Sequence, residues 1–278
     1  MTPTARRLII VEDRQPIGVR SRVSGLVPGA RSRRQLAEAR REVDRLRRRV
    51  RQLELRDDLG YLFVMTYGRS GSTLLQGILD SIPGYLIRGE NRQVLLHVYR
   101  FHQAAVKQRA VHRRSQRKRD EPVGGLAPTK AWYGMDNFAV RASLRDARRL
   151  ALDTLLRPEP DTRVTGFKEI RWTSDDVGEY VAWLGKVFPG ARFVVNTRDL
   201  HAVARSKWWA ERPDAYDHLR EREERLLQLA EDLGNAAFRV HYDDYVDNPQ
   251  ALKPLFDWLG EDFDEARIRA VMDVPHSY

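Results

Sequence analysis

The six residues Gly68-Arg69-Ser70-Gly71-Ser72-Thr73 put one guanidinium and three hydroxyls into a single short turn. They follow Tyr61-Leu-Phe-Val-Met-Thr66, a run of strand formers, and precede Leu74, Leu75 and Ile78, spaced as on one helix face. Strand, small-residue turn and helix N-terminus in that order aim several backbone N–H groups and the positive helix end at one point, which suits a phosphate or a sulfate. Arg69 adds a fixed charge with a fork of donors. The turn is not a Walker A loop, because no Lys follows Gly71. The expected ligand is one anionic group held without a metal, rather than a triphosphate with magnesium.

A second junction repeats the device. Arg192 to Thr197 reads as a strand, Arg198 stands at its carboxyl end, and Ser206 lies eight residues on. On a helix expected over 199–209 that spacing is about two turns, so both side chains face one way and can hold one phosphate together. Ligands of open α/β sheets bind at the carboxyl ends of strands. Two anion sites on two strand ends fit one ligand with two separated charged groups.

The elements that must position these loops alternate along the chain. Strands are expected at 61–66, 85–88, 163–168, 191–197 and 237–242. Helices are expected at 73–80, from about Arg92, and at 138–156, 175–187, 199–209, 214–233 and 250–260. Alternation of this kind predicts an α/β fold with a mostly parallel sheet covered on both faces. Residues 92–160 lack strands and are expected to form a helical insertion that caps the acceptor site. Within it, Lys107 to Arg119 is strongly basic.

The pair Tyr67-Gly-Arg-Ser-Gly-Ser-Thr-Leu74 and Val194-Val-Asn-Thr-Arg-Asp-Leu-His-Ala-Val-Ala-Arg-Ser206 resembles the two nucleotide-binding signatures of sulfotransferases that use 3′-phosphoadenosine 5′-phosphosulfate (PAPS). The resemblance runs from about Tyr61 to Leu259 and takes in Val240-His-Tyr-Asp-Asp-Tyr-Val-Asp-Asn-Pro249. It implies the P-loop-like fold of that family and PAPS as co-substrate, with no metal. It also implies that Arg69, Ser70, Gly71, Ser72, Thr73 and Leu74 hold the 5′ phosphosulfate, and Arg198 and Ser206 the 3′-phosphate.

Transfer of a sulfonate needs a base for the acceptor hydroxyl and cations for the leaving group. Glu90, in Arg88-Gly-Glu-Asn-Arg92 just past the second strand, is similar to the base of carbohydrate and tyrosyl-protein sulfotransferases. Its plain alternative is a helix-capping carboxylate. Small-molecule relatives use a His in a Lys-x-His setting, whereas the comparable strand here reads Gly166-Phe-Lys-Glu-Ile-Arg171. His97 and His102 remain weaker candidates. Lys168 ends its strand where a buried Lys needs a partner; its expected role is to stabilise charge on the oxygen bridging sulfur and phosphorus, with Arg69 sharing that work, and its alternative is a structural ion pair. Near the C-terminus Arg267 and Arg269 are weak stand-ins for the basic motif of small-molecule relatives. The acceptor expected from this subclass is a carbohydrate or another small glycosylated molecule. A P-loop kinase and a non-catalytic coiled-coil adaptor are the alternatives.

Composition places the charge outside the catalytic region. Residues 1–56 hold 16 Arg and 6 acids, while residues 57–278 hold 33 basic and 33 acidic residues. The alkaline pI therefore reports on the arm and not on a nucleic-acid-binding fold. With no cysteine there is no disulfide framework and no thiolate chemistry. Residues 1–30 are expected to be a loosely ordered basic arm. In 31–57, Leu36, Ala39, Val43, Leu46, Val50 and Leu53 alternate spacings of three and four, the seam of a coiled coil. Val at a and Leu at d, with Glu42 facing Arg47 and Arg49 facing Glu54 across the pair, favour a parallel homodimer; a single helix on an anionic membrane surface is the alternative. The sulfotransferase-like domain is expected over 58–278, in a soluble, cytoplasmic protein.

Overall fold

The computed structural model describes residues 35, 38–43, 45, 46, 58–121 and 123–274. The chain divides into two units, Met1–Glu54 and Leu55–Tyr278. In the first, the described residues are helical. The arm expected over 1–30 and most of the heptads expected over 31–57 lie outside the described residues.

The second unit is built on β1 (Gly60–Met65), α1 (Ser72–Asp80), β2 (Tyr85–Arg88), α2 (Val94–Lys118), α3 (Val140–Leu150), β3 (Val164–Glu169), α4 (Val177–Val187) and β4 (Arg192–Thr197). It continues with α5 (Leu200–Ala204), α6 (Ala215–Leu233), β5 (Ala237–His241), α7 (Tyr242–Tyr245), α8 (Lys253–Leu259) and α9 (Glu265–Met272). The strands form one parallel sheet in the order β2-β3-β1-β4-β5. β1 is central, and its run of apolar residues is buried on both faces, as a covered parallel strand requires. Tyr61, Phe63 and Met65 enter one core layer beside Phe167, Phe188 and Phe193, and Leu62 and Val64 enter the other beside Leu75 and Ile78.

The connections matter most for the site. After β1 the chain turns into α1, which packs on the Leu62 face; after β4 it turns through α5 into α6, on the Phe63 face. Neighbouring strands whose loops leave toward opposite faces open a crevice at their carboxyl ends. Both anion-binding candidates lie on that crevice.

Three expectations change. The helix expected over 199–209 stops at Ala204: Ser206 is extended (φ −102°, ψ 123°) and Lys207 is left-handed (φ 51°). The break lets Trp209 bury its ring and donate from Nε1 to Gly68 O at 3.2 Å. The helix from Arg92 runs on to Lys118 and absorbs the basic stretch. An unforeseen helix, α9, starts at Asp264, whose carboxylate caps the backbone N–H of Arg267 at 3.0 Å.

The insertion leaves the sheet after Arg88 and the chain rejoins it at Val164, and one side chain ties both stems. Arg88 donates from Nε to Leu156 O (2.8 Å) and from Nη2 to Arg157 O (3.0 Å). Leu95, Leu96 and Tyr99 of α2 pack into the core layer of Tyr180 and Trp183 on α4. That burial draws the insertion away from the crevice, and apart from Glu90 at its stem none of its described residues lines the cavity there.

Candidate active site

The turn after β1 is held from beneath. Ser70 is fully buried; its Oγ shares a hydrogen bond with Thr66 Oγ1 (2.6 Å), and its carbonyl accepts from Asn196 Nδ2 on β4 (2.9 Å). Its hydroxyl therefore points into the protein. Arg69, Gly71, Ser72, Thr73 and Leu74 instead line a cavity of about 650 Å³. Gly71 caps α1 with φ +77°, and a Cβ there would stand 2.0 Å from the ring of Tyr242. Only glycine meets both the left-handed backbone and the closeness of that ring.

Arg198 meets the same turn from β4. Its Nη1 donates to Arg69 O at 3.1 Å, and its guanidinium lies 4.5 Å from the Tyr242 ring centre. The backbone N–H of Arg198 donates to the hydroxyl of Tyr67, which in turn donates to Glu223 Oε2 at 2.6 Å. Burial first, then the Glu223 hydrogen bond, pushes the Tyr67 phenol well above its ordinary pKa, so it stays a donor. Arg198 Nε is buried and makes no hydrogen bond; Asp243 Oδ1 is 3.9 Å from it. Ser206, although off the helix expected for it, does reach the group: Arg69 Nε donates to its Oγ at 3.0 Å. Hydrogen bonds thus tie the two anion loops into one assembly.

Glu90 and Lys168 form the opposite wall. Lys168, only 5% exposed, donates from Nζ to Glu90 Oε1 at 2.8 Å, and Arg171 Nη1 lies 3.6 Å from Oε2. Both residues face the cavity that holds Arg69 and Arg198. What fixes the loop of Glu90 is the carboxylate that follows Lys168 on β3. Glu169, fully buried at the end of β3, accepts from the backbone N–H of Asn91 (3.2 Å) and Gln93 (3.0 Å) through Oε2, and of Ile170 (2.8 Å) through Oε1. Arg92 and Gln93 both have positive φ (55° and 60°), a conformation costly for non-glycine residues unless the surroundings impose it. The buried carboxylate is what imposes it here.

Other candidates fall elsewhere. His97 and His102 border a separate apolar groove between α2 and α3, where His102 Nδ1 bonds Ser143 Oγ at 2.9 Å and burial lowers its pKa. Arg269 pairs with Glu265 and Arg267 reaches Asp262 O, so neither points into the cavity. Met272 and Val274, at the end of α9, do line it, with Trp208, Val246 and Tyr242. Tyr242 was within reach of the sequence: it follows β5 at the carboxyl edge, the rule that located the other loops. Met272 and Val274 carried no signal, because nothing local marks the path of the last helix.

Residues 62–265 match the model of the sulfotransferase family. No curated protein matches the chain. Among solved structures, the sulfotransferase domain of the Synechococcus PCC 7002 olefin synthase is 20% identical, with 75% of each chain covered and a TM-score of 0.45. Sulfotransferase STF9 from Mycobacterium avium is 15% identical, with 83% of this chain and 71% of that one covered and a TM-score of 0.42.

Proposed function

This chain belongs to the sulfotransferase family, and from that premise we propose that it moves a sulfonate group from PAPS to a hydroxyl of a carbohydrate or glycosylated acceptor by in-line displacement. The observation that supports this best is the Glu90–Lys168 pair, 2.8 Å apart, opening on the same cavity as Arg69, Ser72, Thr73 and Arg198. A proton acceptor and a buried cation thereby face an anion-binding turn across one space.

The residues present fit the donor. Arg198 lines the cavity and keeps a buried Nε without a hydrogen bond, a donor that an anion could take up. When bound, PAPS supplies the sulfonate and leaves as adenosine 3′,5′-bisphosphate. In this reading the α1 N-terminus, Arg69, Ser72 and Thr73 bind its 5′ end, and Arg198 with Ser206 its 3′-phosphate. Glu90 takes the acceptor's hydroxyl proton on a carboxylate oxygen. Lys168, released from part of its pairing as Glu90 is protonated, turns its charge to the leaving oxygen. Met272, Val274 and Trp208 keep water off the nucleotide side. No step calls on a metal. The charged acceptor wall of Glu90, Lys168 and Arg171 suits a polyhydroxylated acceptor better than an apolar one.

Arg198→Ala is expected to weaken adenosine 3′,5′-bisphosphate binding by about 1.5–3 kcal/mol, the worth of a charge-assisted hydrogen bond, and to leave adenosine 5′-phosphate nearly untouched. Isothermal titration with both nucleotides checks it. Equal losses would put the 3′-phosphate elsewhere, and tighter binding of ATP–magnesium than of the bisphosphate would favour a kinase.

Residues 31–57 in this reading pair two copies in parallel. Deletion of residues 1–56 is expected to turn a dimer into a monomer in analytical ultracentrifugation while bisphosphate binding survives. A truncated chain that stays dimeric would assign the heptads another purpose.

A further inference from the structure

Beside the wall that carries Glu90 lies a group of arginines, one of which has no counter-charge. Arg171, two residues past β3, lines the main cavity, with Nη1 3.6 Å from Glu90 Oε2 and 3.5 Å from Glu169 Oε1. Arg222 and Arg212 both lie against the buried ring of Trp209, 5.1 and 5.8 Å from its centre. Arg212 pairs with Asp214 at 3.3 Å. Arg222 is half-buried, and among the described residues it has neither an ion pair nor a hydrogen bond. Burial, then the charges of Arg212 and Arg171, draw its pKa below the ordinary guanidinium value.

Arg222 also borders a small polar cavity of about 190 Å³, together with Thr173, His218, Glu221 and Arg225. The four α6 residues stand at spacings of three, one and three, so they share one helix face. Two of the polar groups are already engaged: His218 pairs with Asp214 at 2.8 Å, and Arg225 Nη1 donates to Thr173 O at 2.8 Å. Glu221 is exposed and forms no ion pair with Arg222. The two cavities adjoin along two separate stretches of chain. Arg171 borders the large one and Thr173 the small one, and residues two apart are separated by at most about 7 Å. Trp208 borders the large one, and its neighbour Trp209 carries Arg222.

We propose that Arg171 and Arg222 hold an anionic group of the acceptor, so that the substrate is an acidic carbohydrate, a reading that rests on Glu90 as the base at a neighbouring hydroxyl. Arg171 meets Glu90 on one side, and its charge bears on Arg222 on the other. An anion on this pair therefore lies beside the hydroxyl that Glu90 deprotonates. A guanidinium fork takes a carboxylate, phosphate or sulfate through two parallel hydrogen bonds. Such a group gives Arg222 the counter-charge that it lacks and screens it from Arg171. A neutral glycan would leave two facing cations uncompensated in a partly desolvated place, which is unfavourable.

The test is a binding experiment on the full chain, saturated with adenosine 3′,5′-bisphosphate so that the donor site is filled. The para-nitrophenyl glycosides of glucose, of glucuronic acid and of phosphorylated glucose are titrated by ligand-observed NMR. At least one acidic glycoside is expected to bind about tenfold or more tightly than the neutral one, the worth of a charge-assisted hydrogen bond. The better of the two names the anionic group. Arg222→Gln is expected to abolish the preference and Arg222→Lys to restore part of it, with bisphosphate affinity unchanged in both. A guanidinium that only packed on Trp209 would alter the melting temperature and leave the preference intact. Because no turnover is read, Glu90→Gln is expected to keep the preference; a fully active Glu90→Gln would count against the base alone, and absent bisphosphate binding against the donor alone. Equal binding of acidic and neutral glycosides, no binding by any of them, or a preference that survives Arg222→Gln overturns the proposal.

Discussion

Glu90→Gln is expected to lower kcat by about 10²–10⁴-fold, the usual contribution of a positioned base, with little change in affinity for adenosine 3′,5′-bisphosphate. Gln keeps the size of the side chain and an oxygen that can still accept from Lys168 Nζ, now 2.8 Å from Oε1. It cannot take the acceptor's proton. The loop would stay in place, because Glu169 and not Glu90 accepts the backbone N–H groups of Asn91 and Gln93. A loss confined to kcat is thus the mark of lost chemistry, and steady-state kinetics with a parallel titration of the bisphosphate separates it from lost structure. Near-normal turnover would falsify the assignment. His97 and His102 would not inherit it, since they border a different groove.

Lys168→Ala is expected to cost about 10²–10³-fold in kcat, the loss seen when a preorganised group facing developing charge is removed. The charge sits at the end of β3, 5% exposed, where water screens it poorly. Stability should fall much less than activity, because the partner left behind, Glu90, has a side chain 35% exposed and can be hydrated. Single-turnover kinetics and urea denaturation on the same preparation decide between the readings. A variant that loses stability but keeps its rate would reduce the pair to a structural ion pair.

What could be read from the sequence was what local chemistry enforces. A continuous apolar strand ending in Gly68-Arg69-Ser70-Gly71 has few alternatives, and β1, α1 and β2 fall within one residue of where periodicity puts them. Lys168 and Glu90 could be placed on one wall from strand ends alone. Long-range packing was not legible. The helix after β4 stops early because Trp209 has a pocket under Gly68 to fill, which nothing in 199–209 announces. Ser70 looked like its neighbours Ser72 and Thr73, and only the partners Thr66 and Asn196 show that its hydroxyl is internal. Helical propensity found the insertion, but its apolar face did not say whether it would bury against the crevice or against α4.

The tie at Arg88 has a further consequence. Because one guanidinium at the end of β2 holds Leu156 and Arg157, residues 89–157 begin and end close together at the edge of the sheet. The entropy of closing such an excursion grows only slowly with its length. What binds the excursion to the rest is this tie together with the packing of Leu95, Leu96 and Tyr99 at the start of α2. Its outer part, beyond the core-packed Leu95, Leu96 and Tyr99, could be shortened, enlarged or exchanged between relatives while Glu169 keeps Glu90 opposite Arg69. The surface that this outer part presents can therefore change independently of the wall that carries Glu90 and Lys168.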